Sequence, residues 1–335
     1  MTATPAPSVL VSGAGSIGKR HLRNLHAQGI GALAICDPDP ARLTEAANQT
    51  PCKTYTDFHQ ALASEKPDAV FVCSPTRWHL SQAVDAAGAA AHLFIEKPLS
   101  HTMDGVERLA HAVEEQRLCC MVGCNMRFHF GPKTVKTLLT EGKIGTVTHA
   151  TVYTGSFLPD WRPVQDYRKS YSADPLQGGA LLDCIHEIDL ALWYMGPATL
   201  VSAALRSADV IGIPVEGTAD LILEHGKGVT SSVHLSFTEK EYRRFCRIEG
   251  AEGTIAWDIG EKTVTLRGRD GKLHEIFREP AGEDLNRMYE DELRHFLDCM
   301  RRNVQPQGNL REAIAALKIA LEAKRGEMRK ESPNT

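Results

Sequence analysis

Gly13-Ala14-Gly15-Ser16-Ile17-Gly18 directly follows the apolar run Ser8-Val9-Leu10-Val11-Ser12 and opens a helical pattern. At this spacing the first glycine permits a tight turn. The second lets backbone approach a pyrophosphate, and the third lets helix and strand pack closely. A pyrophosphate placed there meets free N–H groups and the positive end of a helix. Gly13, Gly15, Ser16, Ile17 and Gly18 therefore form a candidate dinucleotide loop, with NAD or NADP as the ligand. Asp37 closes the next apolar run, 19 residues after Gly18. A carboxylate there can bind both ribose hydroxyls and repel a 2′-phosphate, which favours NAD. Arg42 is the counter-signal, because an arginine beside such a carboxylate can accommodate that phosphate; it also fits a solvated helix position.

Two further groups could move protons or hold a charged oxygen. Glu96-Lys97-Pro98 follows His92-Leu93-Phe94-Ile95. That puts a lysine at the carboxyl end of a strand, where ligands of open α/β sheets bind. Taken alone, the tripeptide also fits a surface turn. Asp183 and His186 stand at i and i+3 in Gly178-Gly179-Ala180-Leu181-Leu182-Asp183-Cys184-Ile185-His186-Glu187-Ile188-Asp189, so the spacing predicts one shared helix face. An imidazole, with its ordinary pKa of ~6.5, suits proton transfer. A lone helical histidine is more often a hydrogen-bonded core residue, and Asp189 fits a cap or brace. Residues 157–172 are rich in aromatics, arginine and hydroxyls. There Arg168 and Lys169 suit a phosphate or carboxylate on a substrate, or simply a solvated loop. Cys119, Cys120 and Cys124 lack metal-ligand spacing, and no metal is expected.

The elements that must position these residues change character along the chain. Strands are expected at 8–12, 32–36, 69–73, 92–95 and 119–123. Helices are expected at 17–28, 40–48, 55–64, 78–87 and 102–116. Strands separated by such helices imply right-handed crossovers and a parallel, doubly wound sheet. After about residue 125 a connecting helix is expected at 131–142, a long strand at 146–155 and a helix at 176–195. Closely spaced strands follow at 200–206, 218–224, 229–237, 244–249, 254–257 and 263–267, which imply a mostly antiparallel sheet. Helices return at 284–300 and 310–329. The expected fold is an α/β Rossmann domain over 1–125 and an α+β domain over 126–335, with the last helix packing back on the first domain.

The 335 residues suit two domains and a large core. Thirty-eight Lys and Arg against 42 Asp and Glu give a net charge of −4, so a bulk polycation for nucleic acid is excluded. No apolar run approaches the ~20 residues of a membrane span. The first residues lack a basic n-region and an apolar h-region, so a cytoplasmic location is expected. Nine cysteines in no framework spacing read as reduced, mostly buried thiols.

Taken together, these segments resemble the Gfo/Idh/MocA family, named for glucose–fructose oxidoreductase and inositol dehydrogenase. The resemblance runs from the glycine loop into Lys19-Arg20-His21, through Ser74-Pro75-Thr76 with His79, to Glu96-Lys97-Pro98. It continues with Gly123-Cys124-Asn125-Met126-Arg127-Phe128, Gly142-Lys143-Ile144-Gly145 and the Gly-Gly…Asp…His…Asp helix. It implies a Rossmann domain plus an open, mostly antiparallel sheet that often forms a subunit interface, hence a homodimer or homotetramer. It implies NAD(P)-dependent oxidation or reduction of a carbinol on a sugar, sugar derivative or cyclitol. Lys97 would hydrogen-bond the reacting oxygen, His186 would be the general acid/base, and Asp183 would orient it or hold substrate. Ser74, Pro75, Thr76, His79, Glu96, Lys97, Trp161 and Arg162 would join the glycine loop and Asp37 around the cofactor. Lys97, Arg127, Tyr167, Arg168, Asp183 and His186 would meet the substrate. Many members space the Asp and His by four rather than three. Other functions remain open: imine or dihydrodiol chemistry, NAD-dependent glycosidase chemistry, or a non-catalytic NAD(P) sensor.

Overall fold

A computed structural model of the chain describes residues 6–161, 163 and 165–330. In chain order it contains β1 (Val9–Ser12), α1 (Ser16–Ala27), β2 (Leu33–Cys36), α2 (Pro40–Gln49), β3 (Lys53–Tyr55) and α3 (Phe58–Glu65). Next come β4 (Ala69–Val72), α4 (Thr76–Gly88), β5 (His92–Glu96), α5 (Val106–Glu115), β6 (Cys120–Gly123) and α6 (Phe130–Thr140). The long strand β7 (Val147–Phe157) leads to two consecutive helices, α7 (Ala180–Asp183) and α8 (Ile185–Met195). Then follow β8 (Ala198–Ser207), β9 (Glu216–His225), β10 (Thr230–Ser236), β11 (Thr238–Gly250), β12 (Gly253–Asp258), β13 (Thr263–Gly268) and β14 (Leu273–Arg278). Helices α9 (Asn286–Arg302) and α10 (Leu310–Lys330) close the chain.

Two compact units result. The first gathers the described residues up to Asn125 with Asn286–Ile314; the second gathers Met126–Leu285 with the described residues from Ala315 on. Asn286–Ile314 thus groups with the first unit, although it lies within the span 126–335 assigned from sequence to the second.

The first unit is a six-stranded parallel sheet in the order β3-β2-β1-β4-β5-β6. Strands β1, β2, β4 and β6 are buried along their whole length, as expected where helices cover both faces. Phe71 and Phe94 stack at 4.6 Å, and Phe296 from α9 meets them edge-on at 5.4 and 5.7 Å. That cluster gives α9 its place in this unit. Chain order reverses between β1 and β4. The crevice at the carboxyl ends of those strands is where such sheets bind ligands.

The second unit is an eight-stranded sheet in the order β14-β13-β12-β11-β7-β10-β9-β8. Only the β7–β10 pair is parallel. Its buried face carries Ala150, Val152, Val233, Leu235, Cys246, Ile248, Ile255 and Trp257. Gly131 of α6 lies so close to Trp257 that an added Cβ would fall 1.9 Å from the indole nitrogen.

Several elements differ from expectation for local reasons. Helix α3 starts at Phe58 rather than 55 because the Asp57 carboxylate caps it, accepting from the Gln60 N–H at 2.7 Å. Helix α5 starts at Val106 rather than 102. Before it, the Ser100 and Thr102 hydroxyls bind the backbone two residues on, and Gly105 takes φ +84°. Strands β3 and β14 were not anticipated. One has three residues, and the other is exposed at five of six positions, so neither carries a clear apolar alternation. None of the nine cysteines is in a disulfide, and eight are buried. Among the described residues no helix is long and apolar enough to cross a membrane.

Burial lowers the pKa of His79, His92, His225 and His295. Burial, with Arg244 adding to it, pushes His129 down to about 4, so above that pH the 3.5 Å approach of Glu279 is to a neutral ring. Such a histidine binds protons more readily unfolded than folded. Stability is therefore full above the unfolded value of ~6.5 and falls as the pH drops from there toward the folded value. The melting temperature should decline between pH 6.5 and 4, and His129→Gln should flatten that slope. An equal slope in the variant would show that His129 does not contribute.

Candidate active site

The glycine loop sits at the reversal point of the first sheet. Gly13 takes φ +101°, and a Cβ there would lie 2.6 Å from the Cys73 carbonyl oxygen. A Cβ on Gly18 would lie 1.8 Å from the Gly13 carbonyl oxygen. Both glycines are therefore required by the chain itself. Gly15 differs: nothing lies within 4 Å of its added Cβ, and it is the residue that opens α1. An open position at a helix N-terminus, between two close-packed glycines, fits a pyrophosphate. Asp37 is buried beside it. Its carboxylate accepts from the Ala14 N–H at 2.8 Å and the Asp39 N–H at 2.9 Å. The Arg42 guanidinium stands 3.8 Å from the same group and is mostly exposed. Ser16 and Ile17 form the first turn of α1. The residues present fit a dinucleotide.

Across the reversal, Ser74-Pro75-Thr76 leads into α4. Gln82, which no sequence signal singled out, accepts from the Ser12 hydroxyl at 2.9 Å and the Ser74 hydroxyl at 2.8 Å, tying the ends of β1 and β4. His79 is 2% exposed. Its ring nitrogens lie 2.7 Å from the Ser74 carbonyl and 2.8 Å from the Pro98 carbonyl. Expected at the cofactor, His79 instead has both nitrogens directed at main-chain oxygens and links the loops after β4 and β5.

Lys97 is half-buried at the end of β5, before a cis bond to Pro98. Glu96 behind it is held by His21, whose Nε2 lies 2.6 Å from Oε1. The His21 ring is wedged against Phe71 and Phe94. Lys97 is thus carried on a backbone fixed by two buried histidines.

In the second unit the single helix expected over 176–195 is broken. Cys184 (φ −93°, ψ 29°) separates α7 from α8, so Asp183 ends one helix and His186 is the second residue of the next. The shared helix face is corrected to two positions flanking a kink. The start of α7 at Ala180, rather than at 176, is set just upstream. A Cβ on Gly178 would fall 2.4 Å from the Ser172 carbonyl oxygen and 2.5 Å from that of Tyr171. Gly179 takes φ +95°, with the Glu216 carboxylate 2.0 Å from its added Cβ. Glu216 in turn accepts from the Leu181 N–H at 3.3 Å and meets Lys324 at 3.3 Å, while Lys324 donates to the Gly178 carbonyl at 3.1 Å. Asp183, 4% exposed, accepts from the Tyr171 hydroxyl at 2.9 Å and the Ser172 hydroxyl at 2.7 Å. His186 is 8% exposed.

Two buried ion pairs brace α8. Arg127 donates to Asp189 through two bonds of 2.7 and 2.5 Å, both residues being 2% exposed. Arg244 donates to Glu187 at 2.6 Å. Arg127, expected at the substrate, is therefore engaged inside the fold. A glutamate and an aspartate within an apolar helix were the available signal, since buried charges require partners. Tyr167 donates its hydroxyl to the Ile211 carbonyl at 2.8 Å, and exposed Arg168 lies over its ring at 5.3 Å. Trp161 donates to the Ser156 hydroxyl at 2.9 Å and meets Phe237 edge-on. Arg162 lies outside the described residues.

Residues 8–124 match the model of the GFO_IDH_MocA oxidoreductase family with its NAD-binding Rossmann fold, and residues 133–256 match the GFO/IDH/MocA C-terminal domain. The chain belongs to the Gfo/Idh/MocA family. It is 28% identical over 330 residues to a myo-inositol 2-dehydrogenase of Thermotoga maritima, covering 94% of each chain. It is 27% identical over 324 residues to the NAD⁺-dependent scyllo-inositol 2-dehydrogenase of Bacillus subtilis, covering 93% of this chain and 92% of that one. An oxidoreductase from Agrobacterium radiobacter, solved with NAD⁺, L-tartaric acid and magnesium, superposes with a TM-score of 0.84 at 19% identity over 96% of each chain. As a Gfo/Idh/MocA member, this chain carries an NAD-binding Rossmann domain and falls among oxidoreductases of the sugar and cyclitol type.

If the open position at Gly15 is where the pyrophosphate sits, Gly15→Ala and Gly18→Ala should fail differently. Gly15→Ala should keep the unliganded melting temperature near wild type yet weaken NADH binding at least tenfold, ~1.4 kcal/mol. Gly18→Ala should lower both. Fluorescence titration and thermal melting separate the two, and unchanged NADH affinity in Gly15→Ala would contradict the assignment.

Proposed function

We propose that this chain is an NAD-dependent dehydrogenase that oxidises or reduces a carbinol of a sugar, sugar derivative or cyclitol. Lys97, His186 and Asp183 are its proposed catalytic set. The observation that carries this reading is Lys97 at the carboxyl end of β5, in the same sheet and at the same end as the loops after β1 and β4. Inositol dehydrogenases among the relatives support the substrate class.

When bound, NAD supplies the hydride acceptor or donor. The chain supplies proton transfer and charge stabilisation. The Lys97 ammonium donates to the reacting oxygen as negative charge develops on it. His186 takes up or returns the hydroxyl proton. Asp183 orients the imidazole or a substrate hydroxyl. Trp161 and Arg162 are assigned to the nicotinamide end. Ser74, Pro75, Thr76 and Glu96 frame the cofactor beside the glycine loop and Asp37. Tyr167 shapes the substrate segment, and Arg168 suits a phosphate or carboxylate substituent. Arg127 and His79 act as braces.

Self-association into a homodimer or homotetramer is proposed through the open face of the second sheet. Val201, Ile222 and Tyr242 are exposed on that sheet, and Tyr153 stacks between His234 and Phe245 at 4.4 and 4.7 Å. A cytoplasmic location is likewise proposed.

Inositols, free sugars, sugar phosphates and nucleotide sugars should be screened with NAD⁺ and NADP⁺ for absorbance of the reduced nicotinamide. Lys97→Ala and His186→Ala should each lower kcat with the active compound by about 10²–10⁴-fold while leaving NADH affinity within twofold. Full turnover in either variant would sink the assignment. Binding of NADH without turnover of any compound would favour a non-catalytic sensor.

A further inference from the structure

We propose that Tyr171 and Ser172 are positioning residues that hold the Asp183 carboxylate as an oriented ion. The proposal rests on the dehydrogenase reading above for its consequence in turnover, but not for its geometry.

Each oxygen of Asp183 receives an O–H bond from a different residue, Tyr171 on Oδ1 and Ser172 on Oδ2. Two donors from adjacent residues, one on each oxygen, fix both the rotation of the carboxylate and its position at the helix end. Hydrogen bonds given to the charged form stabilise that form. Asp183 is 4% exposed and Ser172 3%, so water does little of this work. Among titratable groups, Tyr171 is itself a donor, His186 lies in the first turn of α8, and Glu216 reaches Gly179 at the head of α7.

The donor segment is itself pinned. Gly179 donates its N–H to the Ser172 carbonyl at 3.0 Å, and Gly178 donates to the Asp174 carbonyl at 2.7 Å. Only a glycine at 178 lets the chain close on the carbonyls of Tyr171 and Ser172. The Gly-Gly turn thus presses the two hydroxyl-bearing residues onto the helix that carries Asp183. This division of labour leaves proton transfer to His186. Asp183, its oxygens already accepting, serves as a fixed negative charge.

Protein labelled with ¹³C at aspartate carboxyls tests this without substrate, the Asp183 signal being identified by its loss in Asp183→Asn. Tyr171→Phe and the Tyr171→Phe/Ser172→Ala double variant should each raise the Asp183 titration midpoint, the double variant by about one pH unit or more. Ser172→Ala should shift it as well, and Ser172→Thr, which keeps the hydroxyl, should restore it. An unchanged midpoint in both the folded Tyr171→Phe protein and the double variant would overturn the clamp. With a compound that wild type turns over, Tyr171→Phe and the double variant should lower kcat at least tenfold with NADH affinity unchanged, and Ser172→Thr should keep wild-type kcat. An unaltered kcat alongside a shifted midpoint would overturn the positioning role. If no compound is turned over, the dehydrogenase reading fails while the titration still decides the clamp.

Discussion

Buried carboxylates set the terms for this structure. Asp37, Glu96, Asp183, Glu187 and Asp189 are each less than one-tenth exposed. A carboxylate so deeply placed is costly unless donors surround it. Each has them: backbone N–H groups for Asp37, His21 for Glu96, two hydroxyls for Asp183, Arg244 for Glu187 and Arg127 for Asp189. Apart from the Asp39 N–H, the donors come from segments 11 to 75 residues away in sequence, so satisfying the charges also fixes the backbone around them. Glu96 anchors the segment carrying Lys97, and Glu187 and Asp189 anchor the helix that begins beside His186.

Close backbone approach is the second constraint. Gly13, Gly18 and Gly178 stand where a Cβ would meet carbonyl oxygen within 2.6 Å, and Gly131 where it would meet Trp257. Gly15 is open in contrast. Four of these five glycines serve interior packing, and Gly15 alone among them has open space beside it. The distinction separates residues that build the loop from the residue that faces outward from it.

Much of this was legible in the chain. The βαβ alternation, the glycine loop, Asp37 at the end of β2 and the change to closely spaced strands all rest on local pattern, and local pattern survives in the fold. The kink at Cys184 was not legible. Nor was the turn ahead of α7, where Gly178 meets carbonyls at 171 and 172 and Glu216 meets Gly179, contacts between segments that periodicity cannot register. The pairing of Arg127 with Asp189 was hidden for the same reason, being 62 residues apart. His79 was visible as a residue but not as a brace, since its partners are main-chain oxygens. Gln82, Tyr171, Ser172 and Lys324 act through polar contacts across loops, which no spacing rule foretells.

The central claim, that this chain moves a hydride between a carbinol carbon and a nicotinamide with Lys97 and His186 handling charge and proton, is tested most directly by following the hydrogen itself. Inositols and sugars bearing deuterium at carbon would be incubated with NAD⁺, and the reduced nicotinamide examined by mass spectrometry. The account predicts a one-deuteron mass gain with wild type that is lost in Lys97→Ala and His186→Ala despite intact NADH binding. Unlabelled reduced nicotinamide, or equal label transfer by the variants, would contradict it.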